Sequence, residues 1–156
     1  MRDDPAPAVT SAERLDVLGA VVAMVIYVSS IITFSARMMF HVSPGHWIGI
    51  PFLLMAFPLG FLLFTAPRLR RPRLYYIQVG LMLSSIIILF LLDYVLGVEW
   101  RDNTWAVISF VTFYFAGMGG MIGVASRAGR SWTVSSVVLF FVTGVLAFVQ
   151  RGVTGL

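Results

Sequence analysis

Residues 74–97 read LYYIQVGLMLSSIIILFLLDYVLG, and their only charged side chain is Asp93. At about 1.5 Å per residue such a run rises roughly 36 Å as a helix, enough to cross the roughly 30 Å of hydrocarbon in a bilayer. Without water, every backbone N–H and C=O must find a partner within its own segment, and a helix provides this. The stretch therefore predicts a transmembrane helix, extended at its C-terminal side to about Trp100.

Four more apolar runs flank it, giving predicted spans at about 15–40, 46–66, 74–100, 105–125 and 132–150. The whole composition agrees. Of 156 residues, 59% are hydrophobic and 12% charged, against about 25% charged in a soluble domain. The expectation is an all-α integral membrane protein, a bundle of five transmembrane helices joined by short loops. Residues 1–10 are read as a flexible polar tail, and 11–156 as a single transmembrane domain. Thr10-Ser-Ala-Glu13 has capping-box spacing and marks the first helix start. The tail carries acid where a secretory signal carries base, so the first run is read as a retained span.

The second run contains the ambiguity. Pro51 falls in a first turn, where proline is tolerated, but Pro58 is interior and frees the carbonyl of Leu54. A kink follows. The rival architecture has four spans, with this second segment re-entrant.

Arginine placement sets the expected orientation, because basic residues collect in cytoplasmic loops. All eleven basic residues are arginine, which suggests a GC-rich, bacterial genome. With five spans, eight of them (Arg2, Arg14, Arg68, Arg70, Arg71, Arg73, Arg127, Arg130) share one side and three (Arg37, Arg101, Arg151) the other. The N-terminus is then inside and the C-terminus outside, in a bacterial plasma (inner) membrane. The four-span alternative splits the arginines less sharply, seven against four. Trp47, Trp100 and Trp105 fall at expected outer boundaries, and Trp132, Tyr75 and Tyr76 at inner ones, where a ring with a polar tip is favoured.

Within the interior of the runs the acidic side chain is Asp93, near the outer edge of the third helix. A carboxylate in lipid is costly and needs a partner. Arg37, closing the first helix at similar depth, is the expected one, either as an ion pair or as part of a proton- or cation-binding site. His41 and His46 flank the turn Val-Ser-Pro-Gly on the same side as Glu99 and Asp102. Nitrogen and oxygen ligands could converge there on a metal, but the spacing fits no known motif, and hydrogen bonding to headgroups or water is the simpler reading. No cofactor is expected. With no cysteine, thiolate metal sites and disulfides are excluded.

The fourth run contains Ala116-Gly-Met-Gly-Gly-Met-Ile-Gly123. Ala116, Gly119, Gly120 and Gly123 form a strip of small residues of the kind through which helices approach closely in lipid. The strip is expected to pack inside the bundle or against another subunit. Arg68, Arg70, Arg71 and Arg73 form an inner-face loop that anchors topology and attracts anionic lipid. No glycine-rich phosphate loop accompanies it, and nucleic acid is not expected as a partner. Nothing resembles a nucleophile set beside a base, so an enzyme is disfavoured. These features lead to a small accessory or assembly subunit that packs against a larger membrane complex or itself. A small Asp93-dependent carrier, and a metal or haem redox protein using His41 and His46, are the alternatives.

Overall fold

The computed structural model describes residues 11–40, 50–97 and 103–154. Every regular element in these residues is helical: α1 (Ser11–Phe40), α2 (Ile50–Leu54), α3 (Ala56–Thr65), α4 (Arg73–Phe90), a π-helical turn (Leu91–Val95), α5 (Thr104–Ala125), a 3-10 turn (Ser126–Ala128) and α6 (Arg130–Thr154). Four stretches, Ser11–Met39, Arg73–Val95, Thr104–Ala128 and Arg130–Val153, are long and apolar enough to cross a membrane. This is a membrane protein.

The second apolar run differs from the others. It is a shorter pair of helices covering Ile50–Thr65, about 24 Å along its axis. The interruption falls at Met55, three residues before Pro58. There the Met55 N–H turns back to the Phe52 carbonyl at 3.1 Å, and the helix resumes when Leu59 N–H bonds Met55 O at 3.1 Å. Pro58 has no N–H to offer the Leu54 carbonyl, so the ladder breaks one turn upstream of the proline.

Direction follows from which residues touch. On α5, Val124 lies against Gly19 of α1, Met118 against Tyr27, and Tyr114 against Ser30, so α1 and α5 are antiparallel. Gly117 meets Met82, and Gly120 and Gly123 meet Gln78, so α4 and α5 are antiparallel too. Phe140 of α6 packs on Phe115 and near Gly119, while Gly144 lies near Phe115. α6 therefore runs with α1 and α4. Phe52 of α2 sits by the Tyr114 ring, 5.9 Å between centroids, whereas Leu62 of α3 reaches Gly19. The α2–α3 pair thus descends beside α1 from one end of the bundle toward the other.

The closest approach is between α4 and α5. A Cβ on Gly117 would lie 3.1 Å from the Met82 backbone, and one on Gly120 would lie 3.1 Å from Gln78 Cα. Hydrocarbon offers apolar side chains no reason to leave it, so such backbone contact is a main source of helix attraction in lipid. The core that results contains Ala20, Ala23, Ile26 and Tyr27 of α1, Leu59 and Leu62 of α3, Val79, Met82 and Ile86 of α4, and Met118, Met121 and Val124 of α5. α6 lies mostly outside this core. It buries polar residues seven apart, Ser136, Thr143 and Gln150, one helical face at that spacing.

Among the described residues, a side-chain cap and two glycines mark helix ends and turns. Asn103 caps α5 by accepting from the N–H groups of Trp105 (3.0 Å) and Ala106 (3.3 Å). The π-helical turn closes at Val95, and Gly97 follows at φ +57°. Gly129 at φ +127° turns α5 into α6, an angle open to glycine and strained for other residues.

Candidate functional site

Charge is distributed unevenly between the two ends of the bundle. The end that holds the start of α1 gathers Arg14, Arg68, Arg70, Arg71, Arg73, Arg127 and Arg130, with Glu13 and Asp16. Among the described residues, the other end has Arg37, Arg151 and Asp93.

At the basic end the Arg68–Arg71 segment is a hydrogen-bonded turn. Arg68 N–H bonds Thr65 O (3.1 Å), Arg70 N–H bonds Pro67 O (3.0 Å) and Arg71 N–H bonds Ala66 O (3.2 Å). Arg70 takes φ +49° to close it. Arg71 points inward, and its Nη2 donates to Asp16 Oδ1 at 2.5 Å and more weakly to the Ala12 carbonyl at 3.5 Å. The two side chains are only 9% and 15% exposed. Arg71 Nε is buried without a hydrogen-bond partner. Tyr75 lies beneath the pair, with the guanidiniums of Arg71 and Arg127 each 5.4 Å from its ring centroid. Tyr75 is therefore a buried platform for two cations. The four loop arginines are not equivalent: Arg71 is internal, while Arg68, Arg70 and Arg73 are exposed.

Asp16 is the residue that the sequence undervalues. Near the margin of the first apolar run, it reads as one acid near a helix start, and nothing in its neighbourhood points to a partner 55 residues away.

Higher in the bundle a chain of hydroxyls links α1 to α5. Tyr27 Oη donates to the Met118 carbonyl at 2.7 Å. Ser30 Oγ donates to the Ile26 carbonyl at 2.7 Å and sits 2.6 Å from Tyr114 Oη. With the Ser30 proton committed to its own helix, Tyr114 is the donor in that contact. Tyr27, Ser30 and Tyr114 are all buried. Each cross-helix bond of this type is worth about 0.6 kcal/mol in lipid, and this arrangement fixes the register of α1 on α5. Of the remaining polar residues of the first span, Thr33 bonds back to Ser29 O at 2.8 Å.

Asp93 occupies the π-helical turn at the far end of α4, half-buried beside Tyr94. Arg37, in the last turn of α1, is at the same end and within electrostatic reach of Tyr114. Both side chains are partnered. The candidate outer-face polar or metal cluster, His41, His46, Glu99 and Asp102, lies outside the described residues, as do Trp47, Trp100, Arg101 and the tail.

The small-residue strip of α5 divides among its neighbours. Gly120 and Gly123 face Gln78 of α4, whose Cδ would be 2.8 Å from a Cβ at Gly123, and Gly119 faces the Phe140 ring of α6 at 3.9 Å. Gly117, outside the four-residue spacing, is buried at the α4 contact. Ala116 is exposed, and so are Ser109 and Thr112 on the same side of α5. Ser109, Thr112, Ala116, Gly119 and Gly123 are spaced alternately three and four apart, which aligns them on one helical face. On that face Ser109, Thr112 and Ala116 are exposed, while Gly119 and Gly123 are covered by Phe140 and Gln78. The chain matches no protein-family model, and comparison with curated proteins and with solved structures gives no match.

Proposed function

We propose that this chain is a small accessory or assembly subunit, crossing a bacterial plasma membrane five times and acting by packing against a larger membrane complex or a second copy of itself. The observation that carries this reading is the exposed Ser109–Thr112–Ala116 face of α5. A helix face turned only to lipid gains nothing from small polar residues, whereas a neighbouring helix gains close backbone contact. Extraction from native membranes in mild detergent should recover a stoichiometric complex or a defined oligomer. The double variant Thr112→Leu/Ala116→Leu should release a folded monomer. Clean recovery of a monomer from native membranes would end this reading.

Five crossings are supported by the descent of α2–α3 from the Tyr114 level to the Gly19 level, opposite in direction to α1. A re-entrant segment would return to the end it left. The basic end, with seven described arginines against two acids, is then cytoplasmic and the N-terminus inside. With no native cysteine, single cysteines placed at Ser11 and Gly152 report sidedness directly. A membrane-impermeant maleimide should label them from opposite faces, and labelling from the same face would restore the four-span architecture.

A further inference from the structure

One exposed line of α3, which faces lipid if this segment crosses the membrane as proposed above, ends in a charge. Phe57, Phe61 and Phe64 are 77%, 52% and 71% exposed, and their spacing of four and three residues places them on one helical face. One turn further on stands Arg68, its guanidinium carbon 5.8 Å from the centroid of the Phe64 ring. Phe57 to Arg68 covers about 16 Å, half the hydrocarbon thickness and hence the depth of one leaflet.

This arginine is placed unlike its neighbours. Arg71 is neutralised by Asp16. Arg68 is exposed, and its contact among the described residues is a ring that is itself open to lipid. A guanidinium has five donors and is never deprotonated, and a ring face satisfies none of them as a hydrogen bond. At the edge of hydrocarbon, in the most basic region of the molecule, an anion with several acceptor oxygens complements it.

We propose that α3 carries a binding site for one anionic phospholipid, with an acyl chain along Phe57, Phe61 and Phe64 and the headgroup phosphate on Arg68. Phe64 has two roles. Its ring meets the chain on one side and holds the guanidinium at headgroup level on the other. The site needs both parts, so free phosphate, which has no chain, binds poorly. Arg71 contributes indirectly by pinning the turn that presents Arg68.

The test uses purified full-length protein in nanodiscs of phosphatidylcholine with a minor fraction of phosphatidylglycerol, with retained lipid counted by native mass spectrometry. The unsubstituted protein should retain phosphatidylglycerol over phosphatidylcholine. Arg68→Gln should weaken that preference about fivefold, the worth of one arginine near an anionic surface. Phe64→Ala should weaken it comparably with the charge intact, giving a second route if either variant folds poorly. Arg73→Gln, another exposed arginine at the same end with no phenylalanine line beneath it to share in a site, should change it less than about twofold, as for a solvent-screened surface charge. Equal losses for Arg68→Gln and Arg73→Gln would mean a diffuse basic surface and overturn the site. Displacement of the lipid by millimolar inorganic phosphate would show a free-anion site and overturn it as well. So would retention of a second copy of the chain on this face in place of lipid.

Discussion

Gly117→Val should be the most damaging single substitution in the bundle, costing about 3 kcal/mol or more. Even a Cβ at this position would meet the Met82 Cα and N at 3.1 Å and the Leu81 carbonyl carbon at 3.3 Å. Those atoms are backbone in the middle of α4 and cannot rotate aside as a flexible side chain would. Valine adds two further methyl groups, so the helices must separate along their tightest contact, and overpacking of this kind typically costs about 1–3 kcal/mol even where side chains can yield. The loss is larger here because close backbone approach is itself what draws helices together in lipid. Gly80→Ala is the control. It lies on the partner helix, where a Cβ would meet nothing within 4 Å. Alanine there should leave stability unchanged or raise it by up to about 1 kcal/mol through helix propensity. Tryptophan-detected size-exclusion chromatography after heating, in one detergent, reads both. Equal behaviour of the two variants would remove the α4–α5 contact as the organising feature of the bundle.

The helical architecture was legible because bilayer thickness is a ruler: a run such as 74–97 has one way to satisfy its backbone in hydrocarbon. The break near Pro58 was legible for a similar reason, a missing donor with a predictable victim in Leu54. Which face of a helix meets which neighbour was not legible. A soluble helix shows its core as an apolar stripe, but here both the buried and the lipid-facing sides are apolar, and the pattern is flat. The strip Ala116–Gly119–Gly120–Gly123 shows the consequence. Spacing groups those four residues together, yet they face α4, α6 and open surface, while Gly117, outside the spacing, meets only backbone of α4.

Polar residues were only partly readable for a related reason. A carboxylate surrounded by leucines, Asp93, stands out in a sequence, whereas Asp16 stands among ordinary helix-start residues. Its importance comes from the tertiary fold, which brings the start of α1 beside the turn before α4 and buries the ion pair there. Tyr27 and Tyr114 were equally silent, since a tyrosine in a span reads as bulk until its hydroxyl partner is known. The arginine loop was visible as a cluster, but its division into an internal Arg71 and an exposed Arg68 depends on the turn closed by Arg70 at φ +49°.

Asp16→Asn should cost about 3 kcal/mol, because removing one partner of a largely buried pair leaves an uncompensated charge. Arg71 would then face at best a neutral amide oxygen, the weak 3.5 Å contact to the Ala12 carbonyl and the Tyr75 ring. It would also face Arg127, whose guanidinium approaches the same ring at the same 5.4 Å, with no anion between them. That geometry makes a sharper prediction than loss of a salt bridge alone. Arg127→Gln should be nearly neutral in the unsubstituted protein, since Arg127 is exposed and screened. In the Asp16→Asn background it should restore about 1 kcal/mol by removing the repulsion. The pair Asp16→Leu/Arg71→Met, which replaces both charges by apolar groups, should recover most of the stability. Thermal midpoints of the four proteins of the Asp16/Arg127 cycle, measured in one detergent, give the coupling directly. Identical effects of Arg127→Gln in both backgrounds would show that Tyr75 does not bring the two cations into one electrostatic unit. A coupling of the expected sign would identify Asp16 as the charge that lets Arg71 enter the bundle, and through it the whole arginine turn hold its shape.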